Sequence, residues 1–69
     1  MRISARNQLK GTVKSVKSGA VMAEVVIQLP DGQEVVSAIT LNSAQALNLQ
    51  QGDAVVAIIK STEVMIGKE

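Results

Sequence analysis

The stretch Leu29-Pro30-Asp31-Gly32-Gln33 constrains this chain more than any other. Pro30 presets φ, Asp31 can hydrogen-bond to backbone just ahead of it, and Gly32 accepts a positive φ, so the chain must reverse here. Residues 20–29 lead into the turn with Val21, Ala23, Val25, Ile27 and Leu29 on one face. Residues 34–41 leave it with Val35, Ile39 and Leu41 on the inward face. Period-two alternation on both sides of such a turn predicts a β-hairpin at the centre of the fold.

The flanks read the same way. In residues 9–17, Leu9, Gly11 and Val13 share a face, whereas Val16 falls on the opposite one. That parity break predicts a bulge or sharp bend near Lys14 and Ser15, and Gly11 permits tight coiling. Ser18-Gly19 is a turn. Asn42 and Ser43 offer helix caps before residues 44–49, a helix of one or two turns. Gln50-Gln51-Gly52-Asp53 closes it and launches a fourth strand, Ala54–Ile59, and residues 64–66 read as a short fifth. The expectation is an all-β chain with one short helix, folded as a small five-stranded OB-like barrel, with residues 1–69 as a single domain. A sandwich normally needs more strands.

A chain of 69 residues buries a modest share of its surface and is marginal unless stapled or oligomeric. Neither cysteine nor histidine is present, which removes disulfides and the usual zinc, copper and iron ligand sets. The core must be built without Phe, Trp or Tyr. One run points beyond the single chain. Ala54–Ile59 is apolar on both parities, although a strand in a small antiparallel barrel needs only one such face. A second subunit is expected over the other face, the alternative being a helix or terminal arm of the same chain.

Net charge is +1, so no strong field draws the chain to nucleic acid or to a membrane surface. No apolar run approaches the ~20 residues of a membrane span. The N-terminus lacks the apolar stretch of a signal peptide, and the expected location is the cytoplasm.

Any anion affinity must therefore be local, and two clusters could supply it. Ser4-Ala5-Arg6-Asn7 combines a hydroxyl, a guanidinium and a carboxamide, while Lys60-Ser61-Thr62 places a cation beside hydroxyls. Donors without acidic partners suit a fully deprotonated tetrahedral oxyanion, which can only accept hydrogen bonds. Taken singly, either cation could equally be a solvated guard at a strand end. No carboxylates pair for acid–base work, and no Walker-type loop or dinucleotide fingerprint occurs. Without His or Cys, the usual triads and thiol chemistry are unavailable, so an enzyme is not expected.

Three pieces of the chain, Ser4-Ala5-Arg6-Asn7-x-Leu9-x-Gly11-x-Val13, Gly19-Ala20-Val21-x-Ala23-Glu24-Val25 and Lys60-Ser61-Thr62-x-Val64-Met65, together resemble the molybdenum-pterin-binding (Mop) domain of the molbindins. The resemblance spans essentially the whole chain. It implies a molybdate- or tungstate-binding protein for storage or homeostasis, assembled as a homohexamer, with the oxyanion held at subunit interfaces. Carried onto this sequence, Ser4, Arg6, Lys60 and Ser61 form the main site, with backbone N–H groups around Ala5 and Asn7. A second class of oxyanion site is implied near a symmetry axis. The Lys17-Ser18-Gly19-Ala20 turn is its expected place, with Ser37 and Thr40 as further hydroxyls; such a turn is otherwise only a turn. No metal ligated directly by side chains is expected.

The rival reading is an OB-type nucleic-acid-binding module. Such modules stack bases on aromatic side chains along a basic groove, and this chain has neither. The same lack of a stacking surface counts against direct handling of a pterin.

Overall fold

The computed structural model describes residues 1–69. Strands β1 (Asn7–Ser18), β2 (Met22–Gln28) and β3 (Glu34–Thr40) are followed by helix α1 (Leu41–Ala46), strand β4 (Ala54–Ile59) and a single 3-10 turn at Ser61–Glu63. The strands form one antiparallel sheet in the order β3-β2-β1-β4. The sheet is curled into a half-barrel, and β3 and β4 are its unpaired edges. The lone helix is far too short to cross a membrane.

β1 holds the sheet together by serving both halves in turn. Residues from Asn7 to Thr12 pair with β4, and residues from Thr12 to Ser18 pair with β2. The chain must coil sharply where the two pairings meet, and Gly11 lies there. A Cβ on Gly11 would sit 2.6 Å from Ile27 Cγ2 and 2.7 Å from the Gln28 carbonyl oxygen. Only hydrogen fits at that position. The expected bulge follows three residues later: the register shifts between Val13 and Ser15, leaving Lys14 unpaired. The extra residue returns Val16 to the inner face, where it packs on the core.

The hairpin forms as its residues require. Gly32 N–H donates to the Leu29 carbonyl at 2.9 Å, and Leu29 N–H donates to the Gln33 carbonyl at 2.7 Å. Gly32 adopts φ +92°, the left-handed residue that closes a three-residue loop. Both the side-chain amide and the backbone N–H of Gln33 donate to Asp31, which holds that carboxyl below the ordinary carboxylate range.

Val13, Val25, Ile27 and Ala57 form the core, with Val16, Leu29, Val35, Ile39, Leu49 and Val55 packed against them. Ala44 of α1 is also buried, where the helix lies against β2 and β3. Only six side chains in the whole chain are buried, so the folded unit gains little from its own interior. Between the edges of β3 and β4 lies an open groove of about 340 Å³ in which every lining residue except Ser37 is apolar.

Three expectations are corrected. Residues 64–66 are not a fifth strand, and the barrel is not closed. The 3-10 turn at Ser61–Glu63 redirects the chain, and no sheet edge runs beside the segment that follows, so Val64, Met65 and Ile66 are exposed. The helix begins three residues early because Thr40, rather than Asn42 or Ser43, is its cap. Thr40 Oγ1 accepts the Ser43 N–H at 3.0 Å, the bond an N-cap makes to the third helical residue. Asn48, at φ +49°, ends the turn that follows the helix. Val21 was expected to face inward, but it lies in the turn before β2 and is exposed. Its carbonyl accepts from Leu41 N–H at 2.8 Å, tying that turn to the start of the helix.

Candidate functional site

The β1–β4 ladder ends at the pair Asn7 and Ile59. Because the strands are antiparallel, the residues just before β1 and just after β4 emerge side by side. Chain ends more than fifty positions apart in sequence are thereby brought together. Ser4, Ala5, Ile58, Lys60, Ser61 and Thr62 line one open depression of about 420 Å³. Four of the six residues expected at the main site, Ser4, Ala5, Lys60 and Ser61, are thus brought together. Asn7 is half-buried at the end of the ladder, and Arg6 is exposed outside the depression.

The chemistry of the lining is one-sided. Its polar side chains are three hydroxyls and one ammonium, and no carboxylate is among them. The chain's one ion pair joins Lys14 to Glu34 on the outer face, so neither Arg6 nor Lys60 has an acidic partner. Cations and hydroxyls without a competing acid favour an anion that needs only donors. The lining contains no histidine, cysteine or carboxylate.

Thr62 and Ile58 were not among the expected site residues. Thr62 belongs to the Lys60-Ser61-Thr62 string, so the string itself was its signal. Ile58 contributes apolar floor, and nothing in the sequence distinguishes it from the other branched residues of β4.

The second set disperses further. Ser18 ends β1, and Gly19 and Ala20 form the turn to β2. The Gly19 N–H donates to the Met22 carbonyl at 2.8 Å and so closes that turn itself. Thr40 pairs with Met22 at the same end of the sheet, but its hydroxyl is engaged with Ser43. Ser37 lies three residues earlier on β3, ~10 Å away at strand spacing, and faces the apolar groove. Its signal was parity, since Ser37 alternates with Val35 and Ile39 on the inward face.

The half-barrel carries a donor-lined cleft where the two ends of the chain come together, and the TOBE domain model matches residues 3–66. The chain belongs to the TOBE-domain family, and within it to the molybdenum-pterin-binding proteins. It is 53% identical to molybdenum-pterin-binding protein 3 of Clostridium pasteurianum over 66 residues, covering 96% of this chain and 97% of that protein. A molybdate-binding protein from Sporomusa ovata has the same fold, with a TM-score of 0.92 at 46% identity over 99% of this chain and 100% of that one. The cytoplasmic molybdate-binding protein ModG, with molybdate bound, gives a TM-score of 0.84 at 51% identity, covering 88% of this chain and 43% of ModG. The resemblance read from the three sequence motifs is borne out.

Proposed function

We propose that this protein binds molybdate or tungstate as the intact oxyanion and serves in the cytoplasm to store or buffer it. The observation that carries the reading is the depression lined by Ser4, Lys60, Ser61 and Thr62, which offers hydroxyls and a cation and no acceptor carboxylate. Full-length likeness to molybdenum-pterin-binding proteins supports it. The role is binding and not catalysis. A nucleic-acid role is disfavoured by the absence of aromatic residues and the net charge of +1.

Ligand choice follows from the groups the site lacks. Near neutral pH much of phosphate still carries a proton, which needs an acceptor that a donor-only lining does not supply. Molybdate, tungstate and sulfate are fully ionised there and need donors alone. Sulfate is smaller, and bonds stretched to reach it weaken steeply. Competition calorimetry at fixed ionic strength is expected to give similar affinities for molybdate and tungstate, a much weaker one for sulfate, and barely measurable binding of phosphate. Displacement of molybdate by phosphate at comparable concentration contradicts the proposal.

The working unit is a homo-oligomer, a hexamer, with the anion enclosed between subunits. The depression in one chain is too open to desolvate a dianion, and Arg6 stands outside it, free to reach a neighbour's ligand. Apolar surface awaits cover elsewhere: the groove between β3 and β4, with exposed Val36 at its rim, and Met65 and Ile66 beyond the last turn. The second oxyanion site is placed at the end of the sheet that carries Ser18, Gly19, Ala20 and Thr40. Ser37 contributes to it only if an anion reaches the groove side. Light scattering at micromolar concentration should give a mass near six chains, and a stable folded monomer contradicts the assembly.

A further inference from the structure

Residues 4–6 carry half of the proposed oxyanion site, yet no strand or helix holds them. β1 begins at Asn7, and no backbone hydrogen bond outside the regular elements reaches residues 1–6. One side-chain bond does: Gln8 Nε2 donates to the Ala5 carbonyl at 2.7 Å. Gln8 is itself fixed, because it lies in β1 opposite Ile58, whose side chain floors the depression. The bond spans three residues and closes a turn over the segment that presents Ser4 to Lys60 and Ser61.

We infer that Gln8 is a positioning residue of this site, its side-chain amide holding residues 4–6 beside Lys60 and Ser61 before the anion arrives. The inference rests on the oxyanion reading and names how that site is pre-organised. Without the tether, binding must also order the segment, and each backbone residue newly fixed opposes binding. A neutral hydrogen bond between exposed groups corresponds to roughly a two- to tenfold effect. Gln8 carries no charge, so its contribution differs from that of Arg6 or Lys60 in its response to salt.

The test is Gln8→Met, which keeps length and removes the donor without adding charge. In the ligand-free protein, backbone NMR order parameters at Ala5 and Arg6 should fall, while amide exchange within the β1–β4 ladder and the thermal midpoint stay at the parent's values. Molybdate affinity by calorimetry should fall about two- to tenfold, with an unchanged dependence on salt. Parent-like order parameters at Ala5 and Arg6 overturn the inference, as does parent-like molybdate affinity beside a parent that binds. An affinity loss matched by a fall in the thermal midpoint assigns Gln8 a merely structural role and overturns it too. A parent that fails to bind molybdate overturns the oxyanion reading instead, and the order parameters then still decide whether the tether exists.

Discussion

Gly11→Ala is expected to destabilise the folded chain by about 3 kcal/mol, at the upper end of what overpacking a core does. The added methyl would meet Ile27 Cγ2 at 2.6 Å and the Gln28 carbonyl at 2.7 Å. Neither neighbour can give way. Ile27 is a buried member of the core, and Gln28 is a rung of the ladder opposite Thr12. Moving either loosens the point where β1 passes from one partner strand to the other. For a domain of this size the loss corresponds to a drop of roughly 10–20 °C in the thermal midpoint. Gly67→Ala is the matched control, because a Cβ there meets nothing within 4 Å. A Gly11→Ala variant that melts within two or so degrees of the parent would show that the strand crossing is less tight than drawn.

That prediction leans on a feature the sequence displayed openly. The change of parity between Val13 and Val16 required an extra residue in the strand, and the register shift lies between Val13 and Ser15. The central turn was equally plain, because Pro30, Asp31 and Gly32 each have few other uses in that order. Residues 64–66 misled for a physical reason. Val64-Met65-Ile66 has the composition of a strand, but a strand also needs an edge to pair with, and none runs beside it here. Thr40 carried two readings in sequence, because an N-cap and a ligand hydroxyl look alike there, and the 3.0 Å bond from Ser43 N–H shows the capping role.

The site was legible in part. Donor clusters flanking two strands must meet if those strands pair antiparallel, which is how Ser4 and Ala5 come to lie beside Lys60 and Ser61. Arg6 was harder to place. One residue along the chain separates a side chain in the depression from one outside it, and the unstructured approach to β1 gives no parity to count from. Gln8 gave no warning at all, since its importance lies in where its amide reaches, and composition does not carry that.

Removing either cation is expected to have the largest effect on binding. A charge-assisted hydrogen bond to an enclosed anion contributes roughly 1.5–3 kcal/mol, which is on the order of 10- to 100-fold in affinity. Lys60 lines the depression, and Arg6 is exposed outside it, where the proposed assembly would bring it to a neighbour's anion. Both are exposed and outside the chain's one ion pair, so truncating them should leave the fold unchanged. The decisive measurement is a calorimetric titration with molybdate of the parent, Arg6→Ala and Lys60→Ala, each at its full oligomeric assembly and the same ionic strength. The parent should saturate, and each variant should bind at least tenfold more weakly with the parent's thermal midpoint. Two variants that titrate like the parent would contradict the assignment of these residues as the oxyanion site.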